Sequence, residues 1–124
     1  MTNLLFIAVG GSMGALLRYM THSGIQSLHS GPFPIGTLVV NTVGCVAIGF
    51  LAAYFSEAVS LSPEVRLGLF VGLLGGFTTF STYGLETLAL AEAGALGLAA
   101  LNFGLSNALG ITGVWAGLRL ASPS

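Results

Sequence analysis

Thr78, Thr79, Ser81, Thr82 and Glu86 crowd into the stretch GGFTTFSTYGLE, Gly75 to Glu86. Hydroxyls donate and accept hydrogen bonds without carrying charge, and Phe77, Phe80 and Tyr83, spaced by three, bring rings whose edges are positively polarised. Such donors and ring edges suit a small anion, whereas backbone carbonyls freed from a helix would suit a small cation. Two other pairs stand four residues apart: Thr37 with Asn41, followed by Gly44, and Asn102 with Ser106, followed by Gly110. On helices each pair forms a polar stripe on one face. Asn107 and Thr112 fall off the second stripe and are read as packing residues. An unpaired amide in hydrocarbon costs several kcal/mol, so Asn41 must either bond a neighbouring helix or line a polar path.

Other chemistries are poorly provided for. Cys45 stands alone and is read as a small buried apolar residue. His22 and His29 are seven apart with no carboxylate at metal-ligand spacing, and are read as loop residues. The chain carries no nucleophile beside a base, no glycine-rich phosphate loop and no basic patch, which sets aside enzymes and nucleic-acid binders.

The elements that must position these side chains are membrane helices. Of 124 residues, 54% are hydrophobic and 6% charged, with a mean hydropathy of +0.94, too little polar surface for a soluble globule. Four apolar runs, at about 4–20, 35–55, 67–91 and 95–118, each approach the roughly 20 residues that cross a bilayer as helix. A single four-helix transmembrane domain over residues 1–124 is predicted, multi-pass in the lipid bilayer. The runs are continuous and too long for barrel strands. The first has no basic start and no A-x-A-like cleavage site, so it reads as a span rather than a signal peptide.

In the third run, Leu67 to Phe77 would rise about 16 Å as helix, roughly half of the hydrocarbon core. The hydroxyl cluster then begins near the midplane, with Glu86 roughly 12 Å farther along. Gly75 and Gly76, followed by two β-branched threonines, weaken a helix at that depth, and a break is predicted there. Broken membrane helices expose carbonyls and N–H groups that commonly bind ions.

Gly10 and Gly14, Gly68, Gly72 and Gly76, and Gly113 and Gly117 recur at i, i+4, which predicts close helix packing. Four short helices enclose little interior, so an oligomer is the natural way to build a path. Arg66 and Arg119 fall on one side of the four-span arrangement and Arg18 towards the other. So weak a positive-inside bias permits insertion in both orientations and an antiparallel, dual-topology homodimer.

The segments GGFTTFSTYGLE, GGSMGALLRY (Gly10 to Tyr19) and PIGTLVVNTVGC (Pro34 to Cys45) together resemble the Fluc (CrcB-type) fluoride channel family over nearly the whole chain. The resemblance implies an all-α membrane protein of four transmembrane helices, the third broken, assembled as an antiparallel homodimer with two fluoride pathways. It also implies passive, selective export of F⁻ across the plasma (inner) membrane of a prokaryote, and a structural Na⁺ at the dimer centre. Gly75 and Thr78 match the positions whose backbone carbonyls hold that Na⁺. Asn41 matches the pore asparagine, and Phe80 and Tyr83 the two stacked aromatic positions; Thr37, Ser81, Thr82 and Ser106 look like the polar track beside them. Arg18 and Glu86 resemble vestibule residues. Tyr83 stands where the family usually has phenylalanine, and Asn102 where it often has tyrosine. The other function these features admit is a small four-helix, proton-coupled multidrug or organic-cation exporter, which needs a membrane-embedded carboxylate; Glu86 would have to serve.

Overall fold

Long apolar runs with strong backbone hydrogen-bond demand become long helices, and a computed structural model, which describes residues 1–57 and 59–122, is helical nearly throughout. Helix α1 (Thr2–Gln26) leads through a short connection to α2 (Ile35–Glu57). The third segment is composite: α3 (Pro63–Leu67), a π-helical stretch (Gly68–Leu74), α4 (Gly75–Phe77) and α5 (Phe80–Glu92). Helix α6 (Leu96–Ala121) ends the order. Among the described residues, four segments are long and apolar enough to span a membrane: Thr2–Gln26, Ile35–Ser56, Pro63–Glu92 and Leu96–Ala121. This is a multi-pass membrane protein.

Helix α1 runs past its apolar portion, so His22 lies within the helix and not in the connecting loop where its sequence context placed it. Polar residues can end a membrane-embedded run without ending the helix, because the backbone bonds continue. Gln26, at the end of α1, reaches across the connection: its Nε2 donates to the Phe33 carbonyl at 3.2 Å, and its Oε1 accepts from Gly36 N–H at 3.0 Å. That one side chain joins the end of α1 to the start of α2. On entry to the third segment, Ser62 caps α3 by accepting from Val65 N–H at 3.3 Å, and Pro63 occupies the first turn, where no N–H partner is needed.

Packing follows the glycines. Helix α2 lies chiefly on α6, and α1 on the π-helical stretch and α4. A Cβ at Gly10 would run into the Gly68 carbonyl, and one at Gly14 into the Leu73 carbonyl. Across the other pair, Gly49 meets Val114 and Gly117 meets Val46, again backbone to backbone. Without a hydrophobic drive between helices in lipid, such close approach is what holds them together. At the end of α5, Gly94 takes φ 83°, and the N–H groups of Gly94 and Ala95 turn back to the carbonyls of Ala91 and Leu90. A glycine-closed turn of this kind delivers the chain directly into α6.

The break in the third segment falls at Thr78 (φ −81°, ψ 158°) and Thr79 (φ −150°, ψ 113°), three residues beyond Gly75. Gly75 and Gly76 remain helical. The missing side chain of Gly76 is used for contact instead, since a Cβ there would lie 2.7 Å from the Gly11 carbonyl. The β-branched threonines are the residues that tolerate extended backbone. Just before the break, the π-helical stretch carries the i→i+5 pattern that recurs at functional sites.

Candidate functional site

Asn41, from the middle of α2, braces the break. Its Nδ2 donates to the Thr79 carbonyl at 2.8 Å and its Oδ1 accepts from Thr79 N–H at 2.7 Å. In a continuous helix that N–H would go to the Gly75 carbonyl. One amide therefore replaces the local helix bonds on both sides of a residue, as a strand partner would. The final carbonyls of the first half, Gly75 to Thr78, are left at a helix end where no further turn claims them.

Thr79 also starts the second half. Its Oγ1 accepts from Thr82 N–H at 3.2 Å, capping α5, and donates to Thr82 Oγ1 at 2.9 Å, with Ser81 Oγ at 3.5 Å. Thr78 turns its hydroxyl back to the Leu74 carbonyl at 3.0 Å, ending the first half. Loss of an N-cap hydroxyl costs about 1 kcal/mol. Thr79→Ala is expected to lower thermal stability in detergent by about that amount, while Thr78→Val, whose hydroxyl only doubles an existing bond to Leu74, is expected to change it less; melting curves of the two purified variants decide.

Asn41, Gly75, Thr78, Thr79, Phe80, Tyr83, Ser106 and Asn107 line one cavity of about 330 Å³. Phe80 and Tyr83 have ring centroids 5.4 Å apart, tilted by 55°. Tyr83 is buried, but Phe80 is 81% exposed on the chain. Behind Tyr83 a polar chain runs between α5 and α6: Thr87 Oγ1 donates to the Tyr83 carbonyl at 2.7 Å, Asn102 Nδ2 donates to Thr87 Oγ1 at 2.8 Å, and Ser106 donates to Asn102 Oδ1 at 3.3 Å. Asn102, 2% exposed, thus has both amide atoms paired. Two residues not singled out from the sequence as site residues join here. Thr87 supplies the acceptor for Asn102, and Asn107 donates to the Tyr83 hydroxyl at 3.2 Å. Asn107 falls off the Asn102–Ser106 stripe by one residue, yet a phenol is long enough to reach it; Tyr83's need for a partner was the available signal.

Thr37, Thr82 and Arg18 line a second cavity, of about 240 Å³, on the far side of Thr79, together with His22. Thr79 is the wall between the two. Beyond Thr37, Glu86 Oε1 accepts from the Thr37 hydroxyl at 2.8 Å and lies 3.9 Å from His22 Nε2. Glu86 Oε2 is buried with no hydrogen-bond partner among the described residues. Ser81 is exposed on α5 beside Phe80. The structure thus gathers Asn41, Phe80, Tyr83, Ser106, Gly75 and Thr78 at one cavity, Arg18, Thr37 and Thr82 at another, and sets Glu86 against Thr37 at the edge of the second.

A sequence model of the family described as CrcB-like protein, Camphor Resistance (CrcB), matches residues 5–118. The chain belongs to the CrcB family. Among CrcB-type relatives, it is 45% identical over 121 residues to the fluoride-specific ion channel FluC of Geobacter sulfurreducens, covering 98% of each chain. It is 41% identical over 120 residues to the FluC of Maridesulfovibrio salexigens, covering 97% of this chain and 95% of the relative. To FluC 1 of Moorella thermoacetica it is 44% identical, covering 94% and 84%.

Proposed function

We propose that this CrcB-family protein is a fluoride-selective channel that lets F⁻ leave the cell passively across the plasma membrane of a prokaryote, protecting it from fluoride. The observation that carries this function is the cavity at the broken third segment, lined by amide, hydroxyl and ring-edge donors without a cationic side chain, in a chain with full-length relatives named as fluoride-specific channels. Fluoride is small and strongly hydrated. A pore must replace its water with donors, yet must not hold the ion so strongly that it stays. Dispersed neutral groups meet both conditions better than a lysine would.

Arg18, beside Thr37 and Thr82, draws anions into the second cavity, and the hydroxyls there begin to replace water. Past Thr79 the ion meets the Phe80 and Tyr83 ring edges and Ser106. A negative interior favours exit by about 2.3 kcal/mol per charge per 100 mV. No reaction is catalysed; the chain is a transport protein.

The functional unit is an antiparallel homodimer. Phe80 lines the cavity but is 81% exposed on one chain, a position that serves a pore only when a second copy covers it. Gly75 and Thr78 line the same cavity; Gly75 is exposed, a Cβ there meeting only the Phe70 carbonyl at 3.7 Å, and Thr78 is half-buried. Among the described residues no three His, Cys, Asp or Glu side chains gather, so a cation at the dimer centre would rest on neutral oxygens. The carbonyls of Gly75 and Thr78, freed by the break, fit Na⁺ in that respect. Bound there, Na⁺ would supply electrostatic attachment between the two breaks.

Purified protein in liposomes loaded with potassium fluoride is expected, once valinomycin lets potassium balance the charge, to release fluoride far faster than protein-free liposomes treated the same way, read with a fluoride electrode; release no faster than that leak would refute the channel. In membranes of expressing cells, C-terminal tags accessible on both faces are expected from dual topology, and tags confined to one face would refute it.

A further inference from the structure

Asn107 Nδ2 donates to the Phe103 carbonyl at 2.8 Å and lies 3.2 Å from the Tyr83 hydroxyl oxygen. A carbonyl can only accept, so the atom facing Phe103 is the amide nitrogen, and α6's own backbone fixes which way the amide points. Both N–H bonds of Asn107 are then committed, one to Phe103 and one to the phenol. Tyr83 is the acceptor in that contact. A phenol that accepts from Asn107 still has its own proton to give, and accepting a hydrogen bond polarises the O–H further. Tyr83 is 8% exposed, which keeps the ring in place, and Tyr83 and Asn107 both line the cavity that holds Asn41, Phe80 and Ser106.

We propose that Tyr83 is a direct O–H donor to the permeating anion and that Asn107 is the positioning residue that turns this donor towards the cavity, an assignment that rests on the channel function proposed above. A phenylalanine at position 83 would present a ring edge alone. The added hydroxyl makes the site bind more tightly and release more slowly, because an ion that is held better leaves less readily.

The test is fluoride flux through proteoliposomes as a function of fluoride concentration, for wild type, Tyr83→Phe, Asn107→Leu and the double variant. Tyr83→Phe is expected to raise the half-saturating concentration by about 10-fold, the size of one hydrogen bond to a charged acceptor, and to raise the maximal rate. Asn107→Leu is expected to raise half-saturation by roughly 3-fold in wild type and to add nothing in the Tyr83→Phe background. A merely structural Asn107 would shift both backgrounds equally, which would overturn its positioning role. Superimposed curves for wild type and Tyr83→Phe would overturn the donor role while leaving the channel standing, whereas absence of wild-type flux would refute the channel and this assignment with it. Asn107→Ala, which removes the amide by truncation and adds no apolar branch, gives the same comparison if the leucine variant does not purify.

Discussion

Asn41→Leu is expected to abolish fluoride release and to destabilise the protein at the same time. The substitution keeps an apolar side chain of similar bulk in α2 but removes both bonds to Thr79, at 2.7 and 2.8 Å. A buried donor or acceptor left without a partner costs about 1–3 kcal/mol, so the pair amounts to roughly 2–6 kcal/mol. The break would relax towards a continuous helix, returning Thr79 N–H to Gly75 and re-registering Phe80 and Tyr83 against the cavity. Flux at the protein-free leak, with a lowered melting temperature, is the expected pair of readouts. An Asn41→Leu protein with wild-type flux and melting would show that the break needs no brace.

Phe80→Ile is expected to act differently, removing flux while the assembly persists. Phe80 is 81% exposed on the single chain and contributes little to its internal packing, so an apolar replacement leaves the fold intact. What disappears is the polarised ring edge 5.4 Å, centroid to centroid, from Tyr83. Isoleucine offers an anion no counterpart. A fall of roughly 100-fold corresponds to about 2.7 kcal/mol added to the barrier. Flux is read with a fluoride electrode, and the dimer by cross-linking in membranes. Undiminished efflux would discard the aromatic role; loss of the dimer would relocate Phe80's contribution to assembly.

Much of the architecture was legible because lipid imposes simple rules. Continuous apolar runs dictated helices, and the glycines at i, i+4 announced the backbone contacts now seen between Gly10 and Gly68 and between Gly117 and Val46. A break in the third segment was also legible, from two glycines and two threonines in a row. Its position was less so, because the same weak helix formers serve two purposes: Gly76 accommodates Gly11, and Thr78 and Thr79 take the extended backbone. The π-helical stretch, which packs against α1, left no trace in residue types. At the site, the stripes Thr37–Asn41 and Asn102–Ser106 pointed to groups that meet polar partners. What periodicity could not supply was the reach of particular side chains. His22 sits in α1 opposite Glu86 although it follows an apolar run, and Asn107, one residue off its stripe, meets a phenol from α5. Contacts between long side chains on different helices depend on where the backbones cross, which sequence spacing does not encode.

The central claim is an uncoupled, electrically driven path for fluoride, and the most direct measurement sets the membrane potential of fluoride-loaded proteoliposomes with a potassium gradient and valinomycin. Fluoride release is expected to start when the ionophore permits charge balance, to rise with an inside-negative potential and to proceed without an imposed pH gradient, while chloride-loaded liposomes stay closed. Release that requires a proton gradient, or that is indifferent to valinomycin, would contradict the channel and favour a coupled carrier, with Glu86 the carboxylate to examine first.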